Sequence, residues 1–354
     1  MQINFKRLAG VLAAVAAALV VAACGSSKSS TSSSSGSSSG SGGTVAIATP
    51  AKTSDYGWNA QGYSGAKQAA SANSAHVKLV QDIGYDKTDT VLRQLALSKP
   101  KLLIAHASGF DTSAQRIAEQ YKVPTITYDI PTMLHKGDLS NITTQSQQGA
   151  YLAGILAAEM TKTNKIGVII SASDTNWYKM AGGYAAGAHS VKPHLPIVFG
   201  QIGSASYDDS AGGKRVATSV IASGADVIFT MGDDASFGYL QAIGTAHPGH
   251  KLWMIGDIGD MSPIDTNKVF LSSVLWNFTG AYKQALSDVK NGTFGQHGYQ
   301  LTLGNGGVSL LKTKYIPASA WSKIQSAKSG IVSGKVTVPD ATTASAMKKQ
   351  LNGG

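Results

Sequence analysis

The sequence predicts an α/β fold made of two similar halves, each a parallel sheet flanked by helices. From residue 44 onward, short apolar runs alternate with amphipathic stretches, the pattern left by successive βαβ units. The alternation occurs twice, in blocks of about a hundred residues, a size compatible with two compact halves. In both blocks polar and aromatic side chains gather just after the apolar runs.

In the first block Thr44–Ala48, Val77–Val80, Leu102–Ala105 and Thr125–Tyr128 read as strands. They are short and largely apolar, and are expected to be mostly buried, as parallel strands are. Gly62–Ala70 and Thr88–Leu97 read as helices, and a third follows. There Ala114, Ile117, Ala118 and Tyr121 fall at i, i+3, i+4 and i+7, with Thr112 and Gln115 spaced as a capping box. The second block repeats the scheme, with strands Ile166–Ile170, Ile197–Ile202, Val227–Met231 and Leu252–Ile255 and helices near 181–190, 212–223 and 236–246. Between the blocks, Asn141–Gln145 leads into a helix of small residues, Gln147–Met160, where Gly149 and Gly154 permit close packing. After Asp257 come a strand, Val269–Trp276, a helix about Ala281–Lys290, and a tail. No helix precedes that late strand, so it is expected to return to the first half. The expected division is 44–145 plus 258–291 for lobe one, and 146–257 plus 292–354 for lobe two and its tail.

The first 43 residues carry an address. Lys6 and Arg7 precede an apolar run from Leu8 to Ala23, too short to span a bilayer at the ~20 residues that requires. A charged start, an apolar centre and a small-residue end make 1–23 a signal peptide. Val21-Ala22-Ala23-Cys24 resembles a bacterial lipobox, which implies lipidation of Cys24. Ser26 to Gly43 is almost entirely Ser and Gly and reads, within 24–43, as a tether. The expected location is the outer side of the cell membrane, held there by the lipid on Cys24.

Composition removes several functions. Cys24 is the single cysteine among 354 residues, so no disulfide framework and no CxxC site is available. The net charge is +10, yet no dense basic run with interleaved aromatics is present, and nucleic acid is not an expected partner. HExxH, GxxxxGK[ST] and a strand-borne GxGxxG do not occur, and no GxSxG follows a predicted strand. No enzyme activity, cofactor or metal is expected.

Ligands of open α/β sheets bind beyond the carboxyl ends of the strands, so candidate site residues are read there. They are Asp55, Trp58 and Asn59 after the first strand, His106, Ser108, Phe110 and Asp111 after the third, and Asp129 after the fourth. The second block supplies Trp177, Gly232, Asp233 and Asp257, and the late strand ends in Trp276 and Asn277. Aromatic planes beside carboxylates and amides suit a flat or ring-shaped polar ligand.

Several segments carry a family resemblance. Asp55-Tyr56-Gly57-Trp58-Asn59 with Gly62 and Gly65-Ala66 resembles the opening motif of the basic membrane protein (BMP/PnrA-like) family of ABC-transporter substrate-binding lipoproteins. Gln148–Gly154, Met160–Gly167, Gly182–Ala188, Gly224–Ile228 and Ile255-Gly256-Asp257 are similar to that family's later motifs, in family order. The resemblance implies a type I periplasmic-binding-protein fold, two Rossmann-like lobes joined by a hinge, that closes on a ligand. It implies a monomer that serves an ABC permease and binds a purine nucleoside or related compound. Asp55 and Asn59 match polar positions of the first loop, Trp58 its aromatic, Asp111 a polar position after the third strand and Asp257 the late carboxylate. Where the nucleoside binders tend to carry lysine, this chain has Trp276 and Asn277. A sugar receptor of the same architecture and a sensory lipoprotein are the alternatives.

Overall fold

The computed structural model describes residues 43–353. The expected signal peptide, Cys24 and the Ser/Gly tether up to residue 42 lie outside the described residues. In chain order the first half holds β1 (Thr44–Ala48), α1 (Trp58–Ala72), β2 (His76–Val80), α2 (Thr88–Leu97), β3 (Leu102–Ala105), α3 (Asp111–Tyr121), β4 (Thr125–Tyr128) and β5 (Leu139–Thr144). Then follow α4 (Ser146–Met160), β6 (Ile166–Ile170), α5 (Thr175–Val191), β7 (Ile197–Gln201), α6 (Ser210–Ala222), β8 (Val227–Met231), α7 (Ala235–Thr245), β9 (Trp253–Ile258) and β10 (Phe270–Trp276). The chain ends with α8 (Thr279–Asn291), β11 (Tyr299–Leu301), β12 (Val308–Leu310), α9 (Ala318–Val332) and α10 (Ala344–Leu351).

Two six-stranded sheets result, ordered β11-β5-β4-β3-β1-β2 and β12-β10-β9-β8-β6-β7. Each begins with the same doubly wound order, in which the first strand lies between the second and the third. All pairings are parallel except the one between β10 and β12. Alternation along the strands gives each sheet two apolar faces. Val45 and Ile47 of β1 join a central core cluster, while Ala46 and Ala48 join an outer one. In the second sheet Val168 and Ile170 belong to that same central cluster and Ile169 to a separate outer one. The central cluster therefore runs without a break from one sheet to the other.

Helices α4 and α5 form part of that centre and lie very close together. A Cβ on Gly154 would overlap the Tyr184 carbonyl, and one on Gly187 would overlap the Tyr151 carbonyl. Gly149 leaves room for Val274 and Val308, whose methyls would stand 2.6 Å from an added Cβ. Small residues on α4 thus do what their placement in the sequence predicts.

The late strand does not return to the first half. β10 pairs with β9 over Phe270–Leu275 and extends the second sheet, so 258–276 does not belong with 44–145. The β9–β10 connection repeats the β4–β5 connection, which also lacks an α-helix. A missing crossover helix therefore marks the fifth strand of each half and not a change of half. The tail corrects the division a second time, because β11 pairs with β5 of the first sheet while β12 pairs with β10 of the second. Only from α8, which packs on α1, to β11 does the late chain serve the first half, whereas α9 packs on α4 and α10 on α5. The chain crosses between the sheets at Thr144–Ser146, Trp276–Thr279 and Leu301–Val308. The expected Thr112 capping box is also absent: a 3₁₀ turn, Ser108–Phe110, runs directly into α3, so Thr112 lies inside the helix.

Gly154→Ala should lower the unfolding free energy by about 3 kcal/mol, because the neighbour it would meet is backbone. Gly280→Ala, on α8 with nothing within 4 Å of an added Cβ, should leave stability unchanged or raise it by under about 1 kcal/mol. Urea unfolding of both variants measures the contrast.

Candidate functional site

The carboxyl ends of the two sheets face each other across a cavity of about 310 Å³. Pro50, Trp58, Tyr85, Ala107, Ser108, Gly109 and Asp129 line it from the first half, and Asp174, Asn176, Trp177, Ala205, Tyr207, Asp233, Ile258 and Trp276 from the second. Each of them ends or follows a strand, at the edge where a doubly wound sheet opens between its first and third strands. The halves meet here. The Asn176 amide donates to Asp129 Oδ1 at 3.1 Å, the Trp58 and Trp276 rings stand edge to face at 6.0 Å, and Tyr56 meets Phe237 at 6.4 Å.

Trp58, the first residue of α1, is held from behind. Its ring stacks on His106 at 4.3 Å and 16°, and its Nε1 donates to the His106 carbonyl at 2.9 Å. His106 Nε2 lies 2.9 Å from the Trp58 carbonyl, an acceptor only, so Nε2 carries the proton. Nδ1 then accepts from Tyr128 Oη at 2.7 Å, and Tyr128 Oη lies 2.5 Å from Tyr282 Oη on α8. Burial holds the His106 pKa down to about 3, opposed in part by the Trp58 carbonyl. A Cβ on Gly62 would run into the His106 ring, which explains why glycine stands one turn into α1.

The acids are not equivalent. Asp55 accepts from the backbone N–H of Asn59 and Ala60 and from the Asn59 amide at 2.8–2.9 Å, which satisfies the start of α1. Asp174 accepts from the N–H groups of Asn176 and Trp177 as the N-cap of α5; burial raises its pKa. Asp129 accepts from Ser108 Oγ at 2.6 Å and from Asn176. Asp257 is buried behind the cavity, where it accepts from Trp177 Nε1 at 3.2 Å and Gly232 N–H at 3.4 Å. Burial pushes its pKa up to about 8 against those two donors. Asp233 stands on the wall with its pKa raised well above the usual range, by burial first and then by Asp55, Asp208, Asp257 and Asp234.

Of the residues selected from sequence, Trp58, Ser108, Asp129, Trp177, Asp233 and Trp276 reach the cavity. Asp55, Asn59, His106 and Asp257 lie behind it and orient the groups that do. Phe110 is fully buried in the outer core cluster of the first sheet, and Gly232 serves through its N–H. Asp111, the first residue of α3, is buried with Oδ1 unpartnered. Exposed Asn277 has its Oδ1 turned to the N–H of Thr279 at the start of α8. Sequence reading missed Tyr85, in the loop after β2, which no other part of the pattern singled out. Asp174, Asn176 and Tyr207, which occupy strand ends of the second half where ligand groups were sought, line the cavity as well. Among the described residues no cluster of three or more His, Cys, Asp and Glu could hold a metal ion, and no helix is long and apolar enough to cross a membrane.

Folded Asp111 keeps its proton to about 7, through burial and the nearby Asp129 charge, against a usual value of 3.8. Between those values the folded state binds more protons than the unfolded chain. This contribution to stability is complete below 3.8 and is lost as pH rises through 7. Asp111→Asn should flatten the decline over that window and raise stability above it, read as denaturant midpoint against pH.

Comparison with known proteins establishes the family and the fold. The family profile described as ABC transporter substrate-binding protein PnrA-like matches residues 43–342. The ABC transporter nucleoside-binding protein BmpA of Lactococcus lactis subsp. cremoris is 31% identical over 220 residues, 57% of this chain and 61% of that protein. Basic membrane protein A1 of Borrelia garinii subsp. bavariensis is 30% identical over 210 residues, 57% of this chain and 59% of that protein. The match thus spans about three fifths of the length of these relatives. Among solved structures, the solute-binding protein of Conexibacter woesei superposes with a TM-score of 0.71 at 21% identity, covering 84% of this chain and 99% of that one. That of Aeropyrum pernix gives 0.73 at 17% identity, covering 86% and 95%. The fold is accordingly that of type I periplasmic solute-binding proteins, and the chain belongs to the PnrA-like family of ABC transporter substrate-binding proteins.

Proposed function

We propose that this chain is the lipid-anchored, extracytoplasmic receptor of an ABC importer, and that it closes on a small polar ring-bearing ligand of the nucleoside class. One observation carries the reading: aromatic planes and hydrogen-bonding groups from both sheets surround a single cavity whose walls touch at the rim. The name of the lactococcal relative supports a nucleoside. A solved neighbour from Agrobacterium radiobacter holds D-arabinose, at a TM-score of 0.57 and 18% identity; that likeness concerns the fold, and sugars enter as the competing outcome.

The magnitudes suffice. Micromolar affinity is about −8 kcal/mol. Stacking on an aromatic ring contributes roughly 1–3 kcal/mol per base, and a hydrogen bond to a charged group about 1.5–3 kcal/mol. Two rings and two carboxylates together supply roughly 5–12 kcal/mol, a range that contains that value. Because the groups stand on opposing walls, only the closed arrangement satisfies them all, and ligand shifts the population toward it. A permease can then distinguish loaded from empty receptor. The leader and Cys24 place the receptor beside that permease, on a tether long enough to let it turn.

Mass spectrometry of what copurifies with residues 25–354, followed by a thermal-shift panel of nucleosides and sugars, tests the reading. At about a hundred times Kd the ligand should add about 2.7 kcal/mol, and Trp58→Ala should abolish most of that shift. Shifts with sugars alone would replace the nucleoside assignment, and turnover of any panel member would reject the receptor. Cys24→Ser in the full chain should release the protein from the membrane fraction and end incorporation of labelled fatty acid; retention of both would reject the anchor.

A further inference from the structure

We propose that the ligand of this cavity carries a positive charge and that Asp233 is the carboxylate that meets it. The proposal rests on the receptor reading above and adds the charge of the guest. Three carboxylates, Asp129, Asp174 and Asp233, are on the cavity wall, and no lysine, arginine or histidine is among the lining residues.

The protein already occupies two of the three. Asp129 takes Ser108 and Asn176, and Asp174 takes two helix N–H groups and, at 3.4 Å, the Tyr207 hydroxyl. The Asp233 side chain accepts no hydrogen bond among the described residues. Its own N–H donates to the Tyr207 carbonyl, which fixes where the carboxylate stands. An added Cβ on Gly57 would lie 3.8 Å from Asp233 Oδ1 and from Asp55 Oδ2, so the carboxylate reaches across to the first half beside a second acid. Asp208 and Asp234 act on it from the neighbouring loops and Asp257 from the end of β9. The cation of this neighbourhood is Lys52, an exposed side chain 3.9 Å from Asp82.

A half-buried carboxylate set among like charges favours neutralisation, by a proton or by a guest. The remaining wall chooses between them. Trp58, Trp177, Tyr207 and Trp276 are rings whose π faces attract cations, most strongly when water is excluded. A ring compound bearing a protonated or alkylated nitrogen satisfies the carboxylate and the π faces together.

Two matched pairs test this by calorimetry on residues 25–354. The first is 1-methyladenosine, a cation at neutral pH, against its neutral isomer N6-methyladenosine. The second is protonated glucosamine against glucose. The expected result is that the cationic member of whichever pair binds does so roughly tenfold tighter or more. Asp233→Asn should bring that ratio close to one. Unliganded Asp233→Asn should melt no lower than the parent, since it loses no protein hydrogen bond. Equal or tighter binding of the neutral member overturns the charge proposal and leaves the receptor reading standing. A preference confined to the sugar pair upholds the charge and replaces the nucleoside. A preference that survives in Asp233→Asn overturns the assignment to Asp233.

Discussion

The imidazole of His106 is wedged between α1 and Tyr128 with both nitrogens engaged, and burial keeps it neutral. Because it is neutral, one nitrogen donates to the Trp58 carbonyl and the other accepts from Tyr128. A protonated ring would turn two donors on a site prepared for one. The indole of Trp58 stacks on this fixed plane and also donates to the His106 backbone, so an aromatic ring of the cavity lining is held without rotamer freedom. The same network runs through the Tyr128–Tyr282 pair to α8, which starts just after the chain has crossed from the second sheet at Trp276. The main aromatic plane of the site is thereby tied to one of the crossings about which the halves would move. A receptor that binds by stacking needs such a plane ordered beforehand, because ordering it on binding would subtract from affinity.

The acidity of the cleft has two origins. Helices of a doubly wound sheet start at the carboxyl edge, and their free N–H groups call for acceptors there. Asp55, Asp174 and Asp209 answer that need at α1, α5 and α6. Placing two such sheets edge to edge gathers the capping acids around one space, whatever the ligand. Asp129 and Asp233 make no such cap. Asp129 holds a left-handed backbone, with φ at 63°, and takes the amide that bridges the walls. Asp233 takes nothing from the protein. It is the excess over capping, and not the number of acids, that bears on the ligand.

Much of the fold was legible because parallel strands buried on both faces leave continuous apolar runs. β1, β3, β4, β6 and β8 have the bounds read from sequence. β5 was not read as a strand, because in LSNITT only Leu139 and Ile142 are apolar, three residues apart, and Asn141 meets a side-chain partner, Thr127, instead of an apolar core. β11 and β12 have three residues each, too few for any period to show. The tail helices owe their position to α4 and α5, contacts that no local pattern encodes. The site was legible in kind. Strand ends were the right places to look, yet which polar group faces inward depends on helix starts: Asp55 and Asp257 point away from the cavity to serve Asn59 and Trp177, while Asn176 points in.

Strain marks the same rim. Tyr56, Asp129 and Ile258 all have φ near 60°, and for a β-branched residue such as Ile258 this is costly. The Gly259 N–H reaches back to the Asp257 carbonyl at 2.6 Å, forming a tight turn at Ile258. A Cβ on Gly259 would overlap the Tyr56 carbonyl of the opposite wall. Strained segments from the two halves therefore press against each other where the cleft shuts, and only glycine admits the approach. Weak closure without ligand and firm closure with it are what a receptor needs, since the permease must read the difference and the ligand must still leave.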